Sequence, residues 1–372
     1  MPRLQVAVIF GGRSGEHEVS LVSADSVMNA LDRERYDVLP IGIDKQGRWW
    51  TGADTLRMLR DGVGQCTPCT LLPEPGRGAV LVFEEGGMRE LPVDVLFPVL
   101  HGTNGEDGTM QGLFELAELP YVGAGVAGSA AAMDKILQKR LHRDAGLPIA
   151  EFRAYLSTAV RDDADAVAED AATLGFPLFV KPPNLGSSVG IGKARDMAEL
   201  VEALRNAARY DSRVLAERAI PAAREIEVAV LGNEEVRCSV PGEIVPSNEF
   251  YDYEAKYVSG ASALYIPAEV DDALARRLQD MAELAFRSLH CEGMARVDFL
   301  LSRDTGELVV NEVNTIPGFT SISMYPKLFD AVGLEYPQLL DALIELALRR
   351  HERSAALLRS YTPSTNWFRE DA

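Results

Sequence analysis

The segment "MARVDFLLSRDTGELVVNEVN" combines two apolar stretches with polar side chains at alternating positions. Arg296 and Asp298 are two residues apart in the first stretch, and Glu312 and Asn314 are two apart in the second. Because successive side chains of a strand point to opposite faces, each pair is predicted to share a face. A hairpin centred on Thr305 would place Asp298 opposite Glu312 and Arg296 opposite Asn314. One face would then carry two carboxylates, an amide and a guanidinium.

This set of groups is typical of a site for Mg²⁺ and phosphate. Carboxylate and amide oxygens are hard ligands of the kind that Mg²⁺ prefers, and the ion usually keeps positions for substrate phosphates. The Pro317-Gly318 turn follows at once, and its backbone N–H groups beside Arg296 could stabilise a developing oxyanion. On local grounds alone, the polar residues could also lie on a solvent-facing strand, and the turn could be purely structural.

The segment "VKPPNLGSSVGIGKA" has its lysine before its glycines, so it is not a Walker A loop, which closes on Gly-Lys-Ser/Thr. Lys181 ends an apolar stretch and is predicted to point towards a nucleotide phosphate. The small residues from Gly186 to Ser188 would let backbone N–H groups approach the terminal phosphate. Glu217 and Glu225 bracket a crossover of the chain where an adenosine could lie. The alternatives are a plain hairpin loop and two surface charges.

The N-terminal part is predicted to be an open α/β domain. "LQVAVIF" is a continuous apolar run that ends at Gly11-Gly12, as a buried parallel strand does where it opens into a turn. Helical spacing follows in Ala24, Val27, Met28 and Leu31. "VDVLFPVL" and the glycine-rich "HGTNGEDG" repeat the arrangement. Since ligands bind at the carboxyl ends of strands in such sheets, the two loops are expected to face one crevice.

Shifts in composition predict an N-terminal α/β substrate domain at residues 1–123, a central domain at 124–217, a C-terminal catalytic domain at 218–350 and a tail at 351–372. One helix, "SAAAMDKILQKRLHRDAG", is predicted to open the central domain, and "DDALARRLQDMAELAFRSL" is predicted to be a helix of the C-terminal domain. The tail lacks hydrophobic periodicity and is predicted to be flexible. Residues between Ile43 and Val93 contain no motif with recognisable chemistry.

The composition narrows the classes of partner. With 372 residues, 47% of them hydrophobic, the chain is long enough for two or three domains with their own cores. A formal net charge of −19 argues against a nucleic-acid partner, which needs a basic face. The N-terminus has the pattern of neither a signal peptide nor a membrane span, so a cytoplasmic protein without a membrane partner is expected. The spacing of the four cysteines predicts no disulfide framework, and a metal or redox role for Cys66 and Cys69 is disfavoured.

Seven motifs in one order make the chain resemble the D-alanine:D-alanine ligases of the ATP-grasp superfamily. They are "VAVIFGGRSGEHEVSLVSA", "HGTNGEDGTMQG", "MDK", "FVKPPNLGSSVGIGKA", "FYDYEAKY", "MARVDFLL" and "NEVNTIPGFTSISMYP". The resemblance implies an ATP-grasp fold, in which a Rossmann-like open sheet precedes two α+β domains that clasp ATP. It also implies a reaction: ATP phosphorylates the carboxylate of a first D-alanine, and the amino group of a second attacks the acyl phosphate. The product, D-alanyl-D-alanine, is a peptidoglycan precursor.

The resemblance further implies two Mg²⁺ or Mn²⁺ ions, an optional K⁺ ion and a homodimer formed through the N-terminal domain. Asp298, Glu312 and Asn314 would hold the metal ions, and Arg296 with the Gly318 N–H would hold the oxyanion. The residues implied to contact ATP are Lys135, Lys181, Ser187, Ser188, Ala219, Ile220 and Lys256, with Glu217 at the adenine amino group and Glu225 at the ribose hydroxyls.

At the amino-acid sites, the resemblance implies that Glu16 binds the ammonium group of the first D-alanine. Ser187 and Tyr257 would be hydrogen-bonded to Glu16 as a clasp, with the "NLGSSVG" loop acting as a lid over the ATP phosphates. His101 would lie near the same substrate. The remaining implied contacts are Lys256 with the transferred phosphate, and Ser323 and Met324 with the carboxylate of the second D-alanine.

Two rival functions stay open. A D-alanine:D-lactate ligase would differ around the clasp tyrosine, and "EAKY" with Tyr257 is the pattern of the dipeptide-forming enzymes. A nucleotide-binding module without catalysis would have no need of Glu16 together with the four polar groups of the hairpin.

Overall fold

The computed structural model describes residues 2–186, 189–245, 263–320 and 322–362. In this part of the chain the strands form three sheets, which follow one another in sequence. The first sheet contains β1 (Leu4–Gly11), β2 (Tyr36–Ile43), β3 (Trp49–Thr51), β4 (Thr67–Leu71), β5 (Ala79–Glu84), β6 (Gly87–Pro92) and β7 (Val95–Val99). The helices of this region are α1 (His17–Ala30), α2 (Thr55–Asp61) and α3 (Thr109–Leu116).

In the first sheet, β1 lies between β2 and β7 and is parallel to both. Val6 to Phe10 are almost completely buried, which confirms the parallel strand predicted from the continuous apolar run. The predicted strand in "VDVLFPVL" is confirmed as β7. The stretch between Ile43 and Val93, in which the sequence shows no motif, adds β3 to β6 as antiparallel strands at one side of the sheet.

The second sheet is antiparallel, and helices pack on it. Its strands are β8 (Phe152–Leu156), β9 (Leu178–Lys181), β10 (Gly192–Ala194) and β11 (Arg213–Arg218), in the order β10-β9-β11-β8. The helices here are α4 (Val126–Met133), α5 (Lys135–Asp144), α6 (Ser157–Asp162), α7 (Ala164–Ala172) and α8 (Met197–Ala207). Apolar residues of α7 and α8 form one core with β9 and β11.

The prediction of one helix across "SAAAMDKILQKRLHRDAG" is wrong, because the chain breaks at Asp134 into α4 and α5. Asp134 has an extended backbone, with ψ at 101°. Its carboxylate accepts hydrogen bonds from the N–H groups of Ile136 at 3.0 Å and Leu137 at 3.1 Å. An aspartate in this role satisfies donors that a helix start leaves without partners, so it begins a new helix instead of continuing the old one.

The third sheet carries the hairpin. Its strands are β12 (Ala223–Gly232), β13 (Val236–Cys238), β14 (Gly242–Val245), β15 (Ala263–Tyr265), β16 (Gly293–Ser302) and β17 (Leu308–Asn314), with the main order β15-β14-β12-β16-β17 and β13 on β12. The helices are α9 (Asp272–Ser288), which confirms the predicted helix, α10 (Met324–Asp330) and α11 (Tyr336–Ala355). One face of β12 and β16 packs its apolar side chains on α9.

The predicted hairpin register is confirmed where the polar residues lie. Asp298 pairs with Glu312, and Arg296 pairs with Asn314. Beyond Asp298 the register shifts, since Phe299 pairs with Val310. Asn311 is therefore the extra residue of a β-bulge in β17.

The prediction of a tail without regular structure from His351 is wrong at its start, because α11 continues to Ala355. Arg350 is buried and donates hydrogen bonds to the carbonyl oxygens of Gly123 and, at 2.8 Å, Tyr121. Arg353 forms ion pairs with Glu234 and Glu292. These contacts explain why the last turns of the helix form without an apolar repeat. Residues 363–372 lie outside the described residues, and the domain boundaries near residues 123 and 217 stay predictions.

Candidate active site

A cavity of about 1180 Å³ is lined by residues from all three sheets or from the loops that follow their strands. Every site residue predicted from the sequence that lies within the described ranges lines this cavity. They are Glu16, His101, Lys135, Lys181, Glu217, Ala219, Ile220, Glu225, Arg296, Asp298, Glu312, Asn314, Gly318, Ser323 and Met324. Ser187, Ser188, Lys256 and Tyr257 lie outside the described residues.

The hairpin contributes a network of charged groups to the cavity. Arg296 donates to both carboxylate oxygens of Asp298, through Nε at 2.7 Å and Nη2 at 2.6 Å. The amide of Asn314 donates to Asp298 Oδ2 at 3.0 Å. Burial alone would lower the pKa of Arg296, but Asp298 and Glu227 outweigh it and hold the pKa well above its usual value. Arg296 is therefore a permanent cation at this end of the cavity.

Glu227 is a member of this network that the sequence analysis missed. It lies opposite Asp298 across β12 and β16, and its Oε2 is 3.0 Å from Arg296 Nε. It is buried, with 4% of its surface exposed. The available signal is the alternation in "REIEVAV", which places Glu225 and Glu227 on one face and apolar side chains on the other.

The donor set on the hairpin fits a hard divalent cation. Asp298 and Glu312 lie opposite each other, with Asn314 next on the same face, so carboxylate and amide oxygens converge on the cavity. Among the described residues, no group of three or more His, Cys, Asp or Glu side chains is arranged to hold a metal ion. The expected site has only two carboxylates and one amide, so phosphate oxygens of a substrate would complete the coordination.

The loops after β1 and β7 meet at Glu16, as expected for two loops that face one crevice. Ser14 Oγ donates to the His101 carbonyl oxygen at 2.7 Å. A Cβ atom at Gly102, whose φ is +74°, would lie 2.8 Å from Glu16 Oε2, so a side chain here would strain the backbone and displace this carboxylate. His101 Nδ1 lies 3.0 Å from the Ile316 carbonyl oxygen, which joins the first sheet to the segment after β17. Burial lowers the pKa of His101, although the charge of Glu16 acts in the opposite direction.

Glu106, in the "HGTNGEDG" loop, also lines the cavity and was missed by the sequence analysis. Its Oε1 accepts a hydrogen bond from the Gly102 N–H at 2.9 Å. Burial, followed by the nearby Glu16 carboxylate, raises the pKa of Glu106 to about 8. The Glu106 and Glu16 carboxyl groups therefore both line the same cavity.

The loop after β9 lies against both Glu16 and the hairpin. A Cβ atom at Gly186 would lie 2.7 Å from Glu16 Oε2. Lys135, at the start of α5, donates from its backbone N–H to the Pro183 carbonyl oxygen at 3.1 Å and from Nζ to the Leu185 carbonyl oxygen at 2.9 Å. The same Nζ is 3.4 Å from Glu312 Oε2. One lysine thus contacts the loop and an expected metal ligand together.

Lys181, Glu217 and Lys139 form a buried group, of which Lys181 and Glu217 line the cavity. Glu217 forms ion pairs with Lys181 and, at 2.8 Å, with Lys139. Burial alone would raise the pKa of Glu217, but the two lysines outweigh it and lower the pKa to about 2. Lys139 was missed by the sequence analysis. The available signal is its position one turn after Lys135 on α5, which places both lysines on one face of the helix.

The remaining predicted contacts lie near these groups. The Ala219 N–H donates to the Pro177 carbonyl oxygen at 3.0 Å, so it is already engaged within the protein. Ser323 Oγ accepts from the Thr320 N–H at 3.0 Å and is 2.7 Å from Thr320 Oγ1. A Cβ atom at Gly318 would lie 2.7 Å from Ser323 Oγ, so a larger residue here would displace this hydroxyl.

Comparison with known sequences identifies relatives over nearly the whole chain. The family described as "D-ala D-ala ligase N-terminus" matches residues 5–124, and "D-ala D-ala ligase C-terminus" matches residues 141–345. A D-alanine–D-alanine ligase of Heliobacterium modesticaldum is 50% identical over 94% of this chain and 96% of its own length. D-alanine–D-alanine ligase A of Chromobacterium violaceum is 49% identical over 97% of this chain and 99% of its own.

Solved structures agree in fold. The D-alanine-D-alanine ligase from Coxiella burnetii superposes with a TM-score of 0.83 at 38% identity, covering 95% of this chain and 97% of that one. The VanG D-Ala:D-Ser ligase from Enterococcus faecalis gives a TM-score of 0.82 at 38% identity, covering 93% and 100%. The ATP-grasp fold expected from the sequence is thereby confirmed. Lys135, Lys181 and the polar face of the hairpin line one cavity of this fold, and the chain belongs to the D-alanine–D-alanine ligase family.

Proposed function

We propose that the chain joins two D-alanine molecules to D-alanyl-D-alanine at the expense of ATP. The observation that carries this proposal is a single cavity in which Lys135 and Lys181, the carboxylate and amide face of the hairpin, and Glu16 all meet. Curated relatives of nearly the full length bear the name of this activity. A module that only binds a nucleotide would have no use for a buried arginine and an amino-acid site at the far end of the same cavity.

In the first step, a carboxylate oxygen of the first D-alanine attacks the γ-phosphorus of ATP, and ADP leaves. Lys135 and Lys181 hold the phosphates, while Glu217 and Glu225 hold the adenine and ribose, with Ala219 and Ile220 beside the base. Cationic side chains in a cavity shielded from water stabilise the charge of the transferred phosphoryl group. Lys256, Ser187 and Ser188 would complete this end.

In the second step, the amino group of the second D-alanine loses a proton and attacks the acyl carbon, and phosphate leaves. Arg296 and the Gly318 N–H stabilise the oxyanion of the tetrahedral intermediate. Glu16 binds the ammonium group of the first D-alanine, with His101 beside it. The clasp of Ser187 and Tyr257 would close over it, and Ser323 and Met324 would receive the carboxylate of the second D-alanine.

Asp298, Glu312 and Asn314 would hold Mg²⁺ or Mn²⁺. Two such ions would neutralise charge on the ATP phosphates, and a monovalent ion such as K⁺ is an optional addition. We also propose a homodimer formed through the N-terminal domain and a reaction in the cytoplasm. None of the described helices is long and apolar enough to cross a membrane.

The test is an assay of phosphate release and dipeptide formation with ATP and Mg²⁺. D-Alanine should support both, and L-alanine should support neither, because with the ammonium group at Glu16 and the carboxyl group at Arg296 the methyl groups of the two enantiomers would point to different walls of the cavity. Equal turnover of the two enantiomers would contradict the proposal.

A second arm supplies D-alanine together with D-serine or D-lactate, because one structural relative is a D-Ala:D-Ser ligase. D-Alanyl-D-alanine should remain the main product at neutral pH. A mixed product in excess would assign the chain to the rival function.

A further inference from the structure

Glu217 is a buried carboxylate with two lysine partners. It lies near the end of β11 and is 3% exposed. Its Oε2 is 2.8 Å from Lys139 Nζ, and its Oε1 forms an ion pair with Lys181. Burying a second cation beside one carboxylate is unfavourable in free energy, because each ion loses its hydration and the attraction between the ions offsets only part of that loss. The arrangement therefore calls for an explanation beyond stability.

The two lysines differ in their access to the cavity. Lys181 and Glu217 line the cavity, and the Lys181 side chain is 12% exposed. Lys139 is not among the described residues that line it, and its side chain is 2% exposed. Lys139 reaches Glu217 from α5, on the protein side. Only Lys181 can therefore exchange its partner for a ligand in the cavity.

The free energy of that exchange depends on Lys139. If Lys181 were the only partner of Glu217, its departure would leave a buried charge without a counter-ion, which is strongly unfavourable. With Lys139 in place, the carboxylate keeps one cation whichever partner Lys181 has. Building on the function proposed above, we infer that Lys139 is a positioning residue that keeps Glu217 paired and thereby releases Lys181 to bind the nucleotide phosphates.

Loss of Lys139 should weaken binding of the phosphates and leave binding of the base nearly unchanged. In Lys139→Met, Lys181 should stay on Glu217, so that the protein loses a charge-assisted contact with phosphate. Binding of ADP should weaken by about tenfold or more, since such contacts are among the strongest hydrogen bonds. Binding of adenosine, which has no phosphate, should change little. A purely structural role would weaken both ligands alike.

Calorimetric titration with ADP and Mg²⁺, and competition by adenosine, would measure the two affinities without D-alanine. Arg140→Met is the matched control, because Arg140 is the next residue of α5 and is exposed. It should leave the ratio of the two affinities unchanged. Lys139→Arg should restore ADP binding, because it returns a cation to the protein side of Glu217.

Two double variants make the outcome decisive. Added to Lys181→Met, the Lys139→Met change should lower ADP affinity little further, since both act through one contact. The double variant Lys139→Met with Glu217→Gln should regain the preference for ADP over adenosine, because the amide no longer holds Lys181. If Lys139→Met alone does not fold, this double variant tests the inference in its place.

Full additivity, or equal losses for ADP and adenosine, would overturn the inference. Wild-type protein that binds ADP yet forms no dipeptide would contradict the proposed function and not this inference.

Discussion

Asp298 and Glu312 face each other across β16 and β17 at the hairpin end of the cavity. Asp298→Asn and Glu312→Gln should each lower kcat by orders of magnitude, because an amide cannot replace the charge of a metal ligand. The unfolding midpoint should move little, since these side chains lie on the cavity face and Glu227 keeps the buried Arg296 paired when Asp298 is neutralised. Steady-state kinetics and urea unfolding would measure the two effects.

Asp304→Asn, in the exposed turn of the same hairpin, is the control and should behave like the wild type. Unfolding of the Asp298 or Glu312 variants would instead assign these residues a structural role.

The raised pKa of Glu106 predicts that the stability of the folded protein depends on pH. Its pKa is raised from 4.5 to about 8 in the folded protein, mainly by burial and then by Glu16, while Lys135 acts in the opposite direction. The folded state therefore favours the protonated form, and the contribution of Glu106 to stability is lost as the pH rises from about 4.5 to about 8. Glu106→Gln, which stays neutral, should gain stability relative to the wild type across that window.

Urea unfolding of both proteins at several pH values between 5 and 9 would test this. A difference between the two that is the same at every pH would show that Glu106 does not titrate in this window.

At the scale of the elements, the loop after β9 approaches Glu16 closely because Gly186 has no side chain. Since a Cβ atom at Gly186 would lie 2.7 Å from Glu16 Oε2, Gly186→Ala should push the loop or the carboxylate away. The KM for D-alanine should rise, with a smaller change in ADP affinity. Gly15→Ala is the matched control, because nothing lies within 4 Å of its Cβ position. An unchanged KM for D-alanine in Gly186→Ala would refute the contact.

The elements also show what a sequence can and cannot predict. Alternation of polar and apolar residues was enough to predict the shared face of the hairpin, because strand geometry repeats every two residues. The register was predicted from a hairpin centred on Thr305, but Leu301 pairs with Leu308, so the predicted pair of Asp298 with Glu312 forms because the bulge adds one residue to β17. The bulge at Asn311 has no such signature. The break at Asp134 was missed because the apolar spacing continues through it, although an aspartate before an apolar turn is a capping signal. Glu106 and Lys139 were not predicted as site residues, because the charged groups near them in the structure are distant in the chain.

At the scale of the whole molecule, Arg350 joins α11 to the connection between the first sheet and α4. It donates to the Tyr121 and Gly123 carbonyl oxygens, and its guanidinium lies 4.2 Å from the centre of the Tyr121 ring. Arg350→Met should lower the free energy of unfolding by about 2 kcal/mol or more, because buried carbonyl groups lose a charged donor. Arg349→Met, at the exposed neighbouring position, should change it by less than about 0.5 kcal/mol.

Denaturant unfolding of the two variants would compare them directly. Equal stability of both variants would mean that solvent replaces the contacts of Arg350.

The alternation of core and cavity residues along β17 makes the tolerance of length change uneven along the chain. Between Val310 and Glu312, Asn311 shifts the alternation by one, so that Val310 faces the core while Glu312 faces the cavity. Deletion or insertion of one residue elsewhere in β17 would turn either the acidic side chains into the core or the valines into the cavity, whereas deletion of Asn311 would restore the regular alternation and keep both faces. The turn between β5 and β6, at the far side of the first sheet, is exposed and has no such constraint. Insertions and deletions among homologues are therefore expected to accumulate there, whereas within β17 only the bulge residue should be gained or lost through descent.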